Sequence, residues 1–408
     1  MAFNILEIPE LRMMVIQLLK DDKKALKSAI LVNKTWAAQA ISIKWESIRA
    51  GFLVDWVERC RRQQYAFHVK RLSFQIGDEN CEQYVEPDYV NLSLFGLEFP
   101  RLESLVFCPE TDTLPVAQYL QPNLKDLVHR VSIPEEDVLH LLETRCPRLQ
   151  KVHLSCDYEQ DRMISLLQHR KLKSVRLTGS SKTPSNDEFL SFLACYDGLE
   201  DLKLSEDLSL DDVDKIFKAS AAPFKDLISL GIKANPTTVP TLMENIKNFM
   251  PKLRCLDLET DKNEISNMPY VGLLSNLQRL TLEIVRSARW DGKSLEGLKS
   301  LTNLHELEIS AGPDSRSLYD PSMTDDDFIT LFKDMNKLEK LKFHVACPLI
   351  TINALAFLGQ NCRRLAFCIV PGTFVLADID KVAGTFPLFP ELRELSLTSA
   401  VDRDGGLG

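Results

Sequence analysis

LRCLDL (253–258), LQRLTL (277–282), LHELEI (304–309) and LEKLKF (338–343) are four copies of one phrase, with leucine or an apolar equivalent at positions 1, 4 and 6. Thirteen copies open at Val69, Leu102, Leu124, Leu149, Leu172, Leu199, Leu227, Leu253, Leu277, Leu304, Leu338, Leu365 and Leu392. Successive copies lie 22 to 34 residues apart, so the phrase recurs while its spacers vary. The first apolar residue turns the chain inward, and the two that follow, one position apart, send alternate side chains of a short strand into a core. One such strand cannot bury its apolar face alone. Stacking successive copies builds a continuous core, which predicts an α/β solenoid, curved, with parallel strands on the concave face and helices on the convex face.

The spacers support this unit. Ser132-Ile-Pro-Glu-Glu leads into Val138, Leu141 and Leu142, Ser209-Leu-Asp-Asp into Val213, Ile216 and Phe217, and Thr324-Asp-Asp-Asp into Phe328, Leu331 and Phe332. Hydroxyl and carboxylate groups at these starts accept the free N–H bonds of a first helical turn and complement its dipole. Capping also accounts for Asp325-Asp326-Asp327, which lacks the spaced ligands and glycine of a calcium loop. Phrase and period are those of a leucine-rich repeat. Three connections, about 76–98, 285–299 and 311–323, exceed what the repeat requires, and the second carries Trp290 beside Arg286 and Arg289. Long loops of this kind are either recognition elements or plain surface.

At 408 residues, 45% hydrophobic and 26% charged, the chain has ample material for a core. No apolar run approaches the roughly 20 residues that span a bilayer. The start, MAFNILEIPELR, has no basic segment followed by an apolar stretch, so we expect an intracellular protein of cytoplasm and/or nucleus with no membrane association. Ten cysteines are dispersed without a C-x-x-C pair, and Cys146 and Cys362 sit just before a phrase, which predicts reduced and mostly buried thiols. The net charge of −9 is uneven, since residues 1–64 hold 11 Lys/Arg against 7 Asp/Glu. A nucleic-acid binder would show a concentrated basic stripe, and none is present.

The first 48 residues break the pattern. Ile8-Pro9-Glu10-Leu11 opens a helix with Leu11, Val15, Ile16 and Leu19; Asp21-Asp22 punctuates it; Leu26, Ile30 and Leu31 form a second apolar set, and Trp36, Ala40 and Trp45 a third. A module this short buries too little apolar surface to stand comfortably alone. The stretch from Ile5 to Ile48 resembles the F-box at Ile8-Pro9, Leu11, Ile16, Leu19, Asp22, Leu26, Leu31-Val32, Lys34, Trp36, Ala40 and Trp45. Asn33 stands where that family often has cysteine, and Ala25-Leu26 replaces a more common Asp-Leu pair. Together with the repeats, the resemblance is to the leucine-rich-repeat class of F-box proteins. It implies docking on a Skp family adaptor, and through it a cullin ubiquitin ligase, with the solenoid holding a protein substrate for ubiquitination and degradation. It also implies Pro9, Leu11, Ile16, Leu19, Leu31, Val32 and Trp36 as adaptor-binding residues. For Trp36 and Trp45 the competing reading is that they hold the helices together or seat the module on the solenoid.

The expected organisation is therefore an F-box-like module at 4–48, a capping linker at 49–66 with Phe52, Leu53, Trp56 and Val57 at helical spacing, a solenoid of about thirteen repeats at 67–400, and a short flexible tail at 401–408. Nothing in the TSAVDRDGGLG that follows Leu397 caps the last strand.

If the leucines point inward, positions 3, 5 and 7 face the concave surface. From Asp126 to Ser205 these positions are mildly basic. Asp257, Glu259, Glu283, Glu306 and Glu308 then form an acidic stretch, with Trp290 nearby in sequence, that we expect to bind a basic protein segment through charge complementarity. Lys340, Lys342 and His344 restore positive charge, and Phe367, Ile369 and Pro371 end the face with an apolar patch.

The chain shows no nucleophile elbow, phosphate loop or dinucleotide fingerprint, and its seven histidines lack metal-ligand spacing. His153 and Cys156 are close in sequence, but one belongs to a strand and the other to the turn after it. We expect no catalysis, no cofactor and no metal. Three readings remain: a substrate receptor of a ubiquitin ligase, an F-box protein that binds the adaptor without directing ubiquitin, and a leucine-rich interaction scaffold whose N-terminal helices are only a cap.

Overall fold

The computed structural model describes residues 8–74, 87–108, 116–130, 138–155, 158–179, 187–260, 268–285, 295–312, 318–370, 372, 374–375, 388–397 and 400–401. The chain divides into two compact units, Met1–Pro184 and Ser185–Gly408.

The first unit opens with three helices, α1 (Pro9–Leu18), α2 (Lys23–Ile30) and α3 (Lys34–Lys44), each started by a local device. Pro9 occupies the first turn of α1, where its missing N–H costs nothing. Asp22 caps α2 by accepting from the Lys24 and Ala25 amides at 2.9 Å, and Asn33 caps α3 by accepting from the Trp36 amide at 2.9 Å. Asn33, the departure from the F-box pattern, thus starts the third helix. Ile16, Leu26, Ala29, Ala40 and Ile43 form the core of this module, with Met13, Leu19, Ile30 and Trp36 packed against it.

After the helices come β1 (Ser47–Arg49), α4 (Ala50–Asp55), a 3-10 turn at Arg59–Arg61, α5 (Arg62–Ala66), β2 (Arg71–Ser73), α6 (Pro87–Ser93), β3 (Ser104–Phe107), a 3-10 turn at Val116–Tyr119, β4 (Asp126–His129), α7 (Val138–Arg145), β5 (Lys151–Leu154), α8 (Gln160–His169) and β6 (Ser174–Leu177). The six strands pair in chain order and all are parallel. β1 starts within the span assigned to the module and is a strand that the phrase does not announce; it covers the edge of β2. The linker is broken into two short helices and a turn. Leu53 and Val57 go inward, whereas Phe52 and Trp56 stay 45% and 78% exposed. The Arg62 guanidinium holds this region by donating to the carbonyls of Val54, Val57 and Ser93 at 3.0–3.2 Å.

The second unit contains α9 (Asp187–Cys195), β7 (Asp201–Leu208), α10 (Leu210–Lys218), β8 (Ser229–Ala234), α11 (Val239–Phe249), β9 (Cys255–Thr260), α12 (Met268–Val271), β10 (Arg279–Ile284), a 3-10 turn at Glu296–Ser300, β11 (Glu306–Ala311), β12 (Leu318–Tyr319), α13 (Asp325–Phe332), β13 (Lys340–Phe343), β14 (Val345–Ala346), α14 (Ile352–Asn361), β15 (Phe367–Val370), β16 (Phe374–Val375), β17 (Glu394–Leu397) and β18 (Ala400–Val401). Its main sheet runs β7-β8-β9-β10-β11-β13-β15-β17, again with parallel pairings. The short pairs β12–β14 and β16–β18 form separate ladders that the phrase does not encode.

Every one of the thirteen phrases becomes a strand. The position-1 residue closes a tight turn: the amides of Leu253, Leu277, Leu304 and Leu338 donate three residues back at 3.0–3.2 Å. The carbonyl at position 2 then accepts two amides from the next copy, as Arg254 does from Gln278 and Arg279 at 2.7 and 3.0 Å. Positions 4 and 6 are buried, with Leu256, Leu280 and Leu307 at 0% exposure. Each unit is an α/β solenoid segment of the leucine-rich-repeat type. In the last strand this breaks down, since Leu395 is 38% exposed where the equivalent Cys368 and Leu341 are at 0%.

The expected caps are present where the residues are described. Ser209 and Asp212 form a reciprocal capping box at α10, and Thr324 and Asp327 form another at α13. Asp325 accepts from the Thr351 amide at 2.7 Å and from its hydroxyl at 2.5 Å, fastening α13 to the start of α14. The Ser132–Glu136 start lies outside the described residues, although α7 follows it. So do residues 76–86 and 286–294 of the first two long connections, Trp290 among them, as well as residues 313–317, Pro371 and Cys156.

Candidate functional site

Two surfaces combine chemistry with exposure. The first is the outer side of the helical module. At 100° per residue, α1 carries two apolar stripes. Ile16, at 0% exposure, and the half-buried Met13 and Leu19 turn into the module core. Leu11, Met14 and Leu18 turn away from it, at 36%, 60% and 86% exposure. On α2, Leu26 and Ala29 are buried, while Leu31 and Val32 at its C-terminal end are 82% and 58% exposed. These are large apolar residues held in solvent by regular helices.

The residues proposed for adaptor binding therefore divide. Pro9, Leu11, Leu31 and Val32 are exposed, with Ile8 beside Pro9 at 39%. Ile16, Leu19 and Trp36 belong to the packing that holds the helices together. Trp45 packs against Tyr65 of α5 in the linker with ring centres 4.6 Å apart and planes tilted by 37°. Met14 and Leu18 were not singled out from sequence. The signal was there: once Ile16 and Leu19 are assigned inward, Leu11, Met14 and Leu18 remain at i, i+3 and i+7 on the other side.

Polar contacts fix the module internally and to the first repeat. Arg12, 9% exposed, donates from Nε to Gln39 Oε1 at 2.6 Å, and Gln39 donates to the Pro9 carbonyl at 3.3 Å, tying α1 to α3. Glu46 receives Lys20, Lys70 and Arg71 at 3.7–4.0 Å. Its carbonyl also accepts the amides of Lys70 and Arg71 at 2.9 and 2.8 Å.

The second surface is the open face of the strands in the second unit. The register places Lys203, Gly231, Asp257, Thr281, Glu308 and Lys342 in one row across the strands. The next row runs Asp207, Lys233, Glu259, Glu283 and Ser310. A bulge in β7 between Lys203 and Asp207 sets Asp207 opposite Lys233. Gly231 has a defined role: a Cβ there would stand 2.8 Å from Lys203 Cγ. Its absence lets the Lys203 stem cross to Asp257, at 3.8 Å.

The acidic stretch is consequently not a bare negative surface. Lys233 lies 3.5 Å from Glu259, Arg279 3.2 Å from Glu306 and Lys342 3.1 Å from Glu308. Four of the five carboxylates are thus matched to a base, three on the adjacent strand and Asp257 two strands away across Gly231. Of these bases the sequence reading singled out Lys342 on the open face, and only the strand register pairs all four with the acids. Glu283 differs: no base stands within ion-pair distance of it among the described residues. Burial, followed by the charges of Glu259, Glu308 and Asp257, pushes its carboxyl above the usual range. Glu283, Asp257, Glu259, Lys203, Ser205 and Thr281 line a shallow recess suited to a hydrogen-bond donor.

Elsewhere the chemistry is structural. His153 approaches Thr178 Oγ1 at 3.2 Å on the open face of the first unit. Burial raises the thiols of Cys146 and Cys362 to about 11 and those of Cys347 and Cys368 to about 12, so these four stay protonated and unreactive near neutrality. Cys60 and Cys195, in contrast, are exposed. Among the described residues no group of three His, Cys, Asp or Glu is placed to hold a metal ion, and no helix is long and apolar enough to cross a membrane.

No family model and no curated protein matches the sequence. Among solved structures, the chain is similar to the yeast complex of Rad7 and Elc1, with 13% identity, a TM-score of 0.45, and coverage of 97% of this chain and 87% of that one. It is also similar to the mouse RP105/MD-1 complex, with 15% identity, a TM-score of 0.37, and coverage of 82% and 68%.

Proposed function

We propose that this chain is a non-catalytic substrate receptor of a Skp/cullin/F-box ubiquitin ligase. The helical module docks on a Skp-family adaptor, and the open face of the repeats holds a protein client for ubiquitination. The observation that carries the reading is that Leu18 and Leu31 stand more than four-fifths exposed on a module whose own core is already closed by Ile16, Leu26, Ala29, Ala40 and Ile43. Residues of this size are kept in water at a cost of about 1.5–3 kcal/mol each relative to burial, which another protein's apolar surface recovers. On the client side, the recess at Glu283 supplies an unmatched acceptor among otherwise matched charges, fitted to a basic or hydrogen-bonding side chain.

The test is reconstitution of the full chain with a recombinant Skp-family adaptor. Wild type is expected to form a stable complex, and Leu18→Asp/Leu31→Asp to lose it while retaining its melting temperature. Absence of a wild-type complex rejects the reading. Affinity capture with the proteasome blocked then separates receptor from scaffold: clients held by both forms, but ubiquitinated only with wild type, mark a receptor.

A further inference from the structure

The outer side of the module is not uniformly apolar. On α2, Lys24, Lys27 and Leu31 follow one another at i, i+3 and i+7, a single stripe opposite the buried Leu26 and Ala29. Lys23 begins the same helix, and Lys34 follows Val32 at the start of α3. All four lysines are exposed, and none has a carboxylate within ion-pair distance among the described residues. Lys20, one turn away, does have such a partner in Glu46 at 3.9 Å. Asp22, the nearest acid in sequence, has Oδ1 committed to the Lys24 and Ala25 amides.

The placement also works against the helix that carries it. Lys23 and Lys24 occupy the first turn of α2, where the partial positive charge of the helix N-terminus disfavours cations; the Asp22 cap offsets that charge, and the turn itself contains no further acidic residue. The chain thus gathers four lysines along α2 and the start of α3, beside the exposed Leu31 and Val32, against only Asp21 and Asp22 nearby in sequence. Carboxylates brought there relieve both the mutual repulsion of the lysines and their conflict with the helix dipole.

We propose that the partner surface received by this module is an apolar groove with a rim of carboxylates, the groove taking Leu18, Leu31 and Val32 and the rim meeting Lys23, Lys24, Lys27 and Lys34. This rests on the adaptor reading above and adds the electrostatic character of the partner. The apolar residues supply most of the affinity, while the rim fixes orientation and speeds encounter. A protein groove is favoured over an anionic membrane because the lysines and the apolar side chains are spread over three short helices and their ends rather than along the face of one amphipathic helix.

The experiment measures binding of the full chain to a recombinant Skp-family adaptor by calorimetry, between about 50 mM and about 500 mM salt, a range over which screening shortens from beyond 10 Å to a few ångströms. We expect wild-type affinity to fall about tenfold across that range. Lys23→Glu/Lys24→Glu/Lys27→Glu/Lys34→Glu should bind at least about tenfold more weakly at low salt, with the salt dependence abolished or reversed. The matching Lys→Gln set should fall between the two, and circular dichroism should show all variants folded. If the Glu and Gln sets bind like wild type while Leu18→Asp/Leu31→Asp does not bind, the carboxylate rim is wrong and the adaptor reading stands. If wild type fails to bind the adaptor, or binds only vesicles of anionic phospholipid, both are wrong.

Discussion

The helical module and the repeat strands use leucine in opposite ways. In β9, β10 and β11 the apolar residues Leu256, Leu280 and Leu307 are wholly buried, and all variation lies in the charged residues between them. In the module, Ile16 is wholly buried while Leu18, two residues on, is 86% exposed. A strand offers two faces and gives one to the core, so its exposed face is free to be polar. A short helix offers a full circumference, and α1 spends two sectors of it on apolar side chains. The contrast separates two kinds of exposed surface, apolar on the module and charged on the sheet.

The strongest way to break this contrast is to place the same change on the two sectors of α1. Ile16→Asp buries a charge without a partner and should destabilise the module by more than about 3 kcal/mol, read as loss of its transition in urea unfolding. Leu18→Asp should leave stability within about 0.5 kcal/mol of wild type, because that side chain packs on nothing in the isolated chain. Similar losses from both would merge the two sectors and remove the basis for a docking face. On the sheet, Leu280→Ala should cost about 2–5 kcal/mol, since the cavity lies between stacked repeats that cannot collapse.

A pH measurement probes the buried side of the sheet. His129 lies on the core face of β4, stacked on Phe107 with ring centres 5.8 Å apart, and burial lowers its pKa from 6.5 to about 4. The unfolded chain takes up a proton at this residue as pH falls through about 6.5, and the folded chain not until about 4. Stability is therefore complete above the first value and declines through that window, by on the order of 3 kcal/mol at its lower end. His129→Phe should remove this part of the slope in urea midpoints measured between pH 7.5 and 5. A slope unchanged by the substitution rejects the assignment.

Smaller effects sharpen the comparison at the surface. Thr324→Ala, which opens the capping box at α13, should cost about 1 kcal/mol by thermal unfolding. Lys342→Ala, at the half-buried pair with Glu308, should cost about 1 kcal/mol, a loss that shrinks in salt. A larger loss would mean that the open-face ladder stabilises the fold rather than presenting a surface.

Much of this was legible in the chain. The phrase located every strand that carries it, because a period-two apolar pattern anchored by an inward leucine admits few other conformations, and Ser209 and Thr324 marked their helix starts through cap chemistry. β1 and the pairs β12–β14 and β16–β18 were not legible, since strands of two or three residues are defined by the neighbour they pair with rather than by their own pattern. The same limit applied to the surfaces. The acidic stretch looked unopposed because Asp257 and Lys203 are far apart in sequence, and only the bare backbone at Gly231 lets them meet.

The sequence by itself determined the repeat, the strand positions, the separate helical start and the residues available for recognition, because these follow from local periodicity and from what each side chain can bond to nearby. Tertiary structure alone decided which of those residues are free. Packing drew Ile16, Leu19 and Trp36 into the module and left Leu11, Leu31 and Val32 outside it, joined by Leu18, and strand register matched four of the five acids and left Glu283. Exposure and pairing are properties of neighbours brought together by folding, so no reading of one residue in its own stretch of chain contains them.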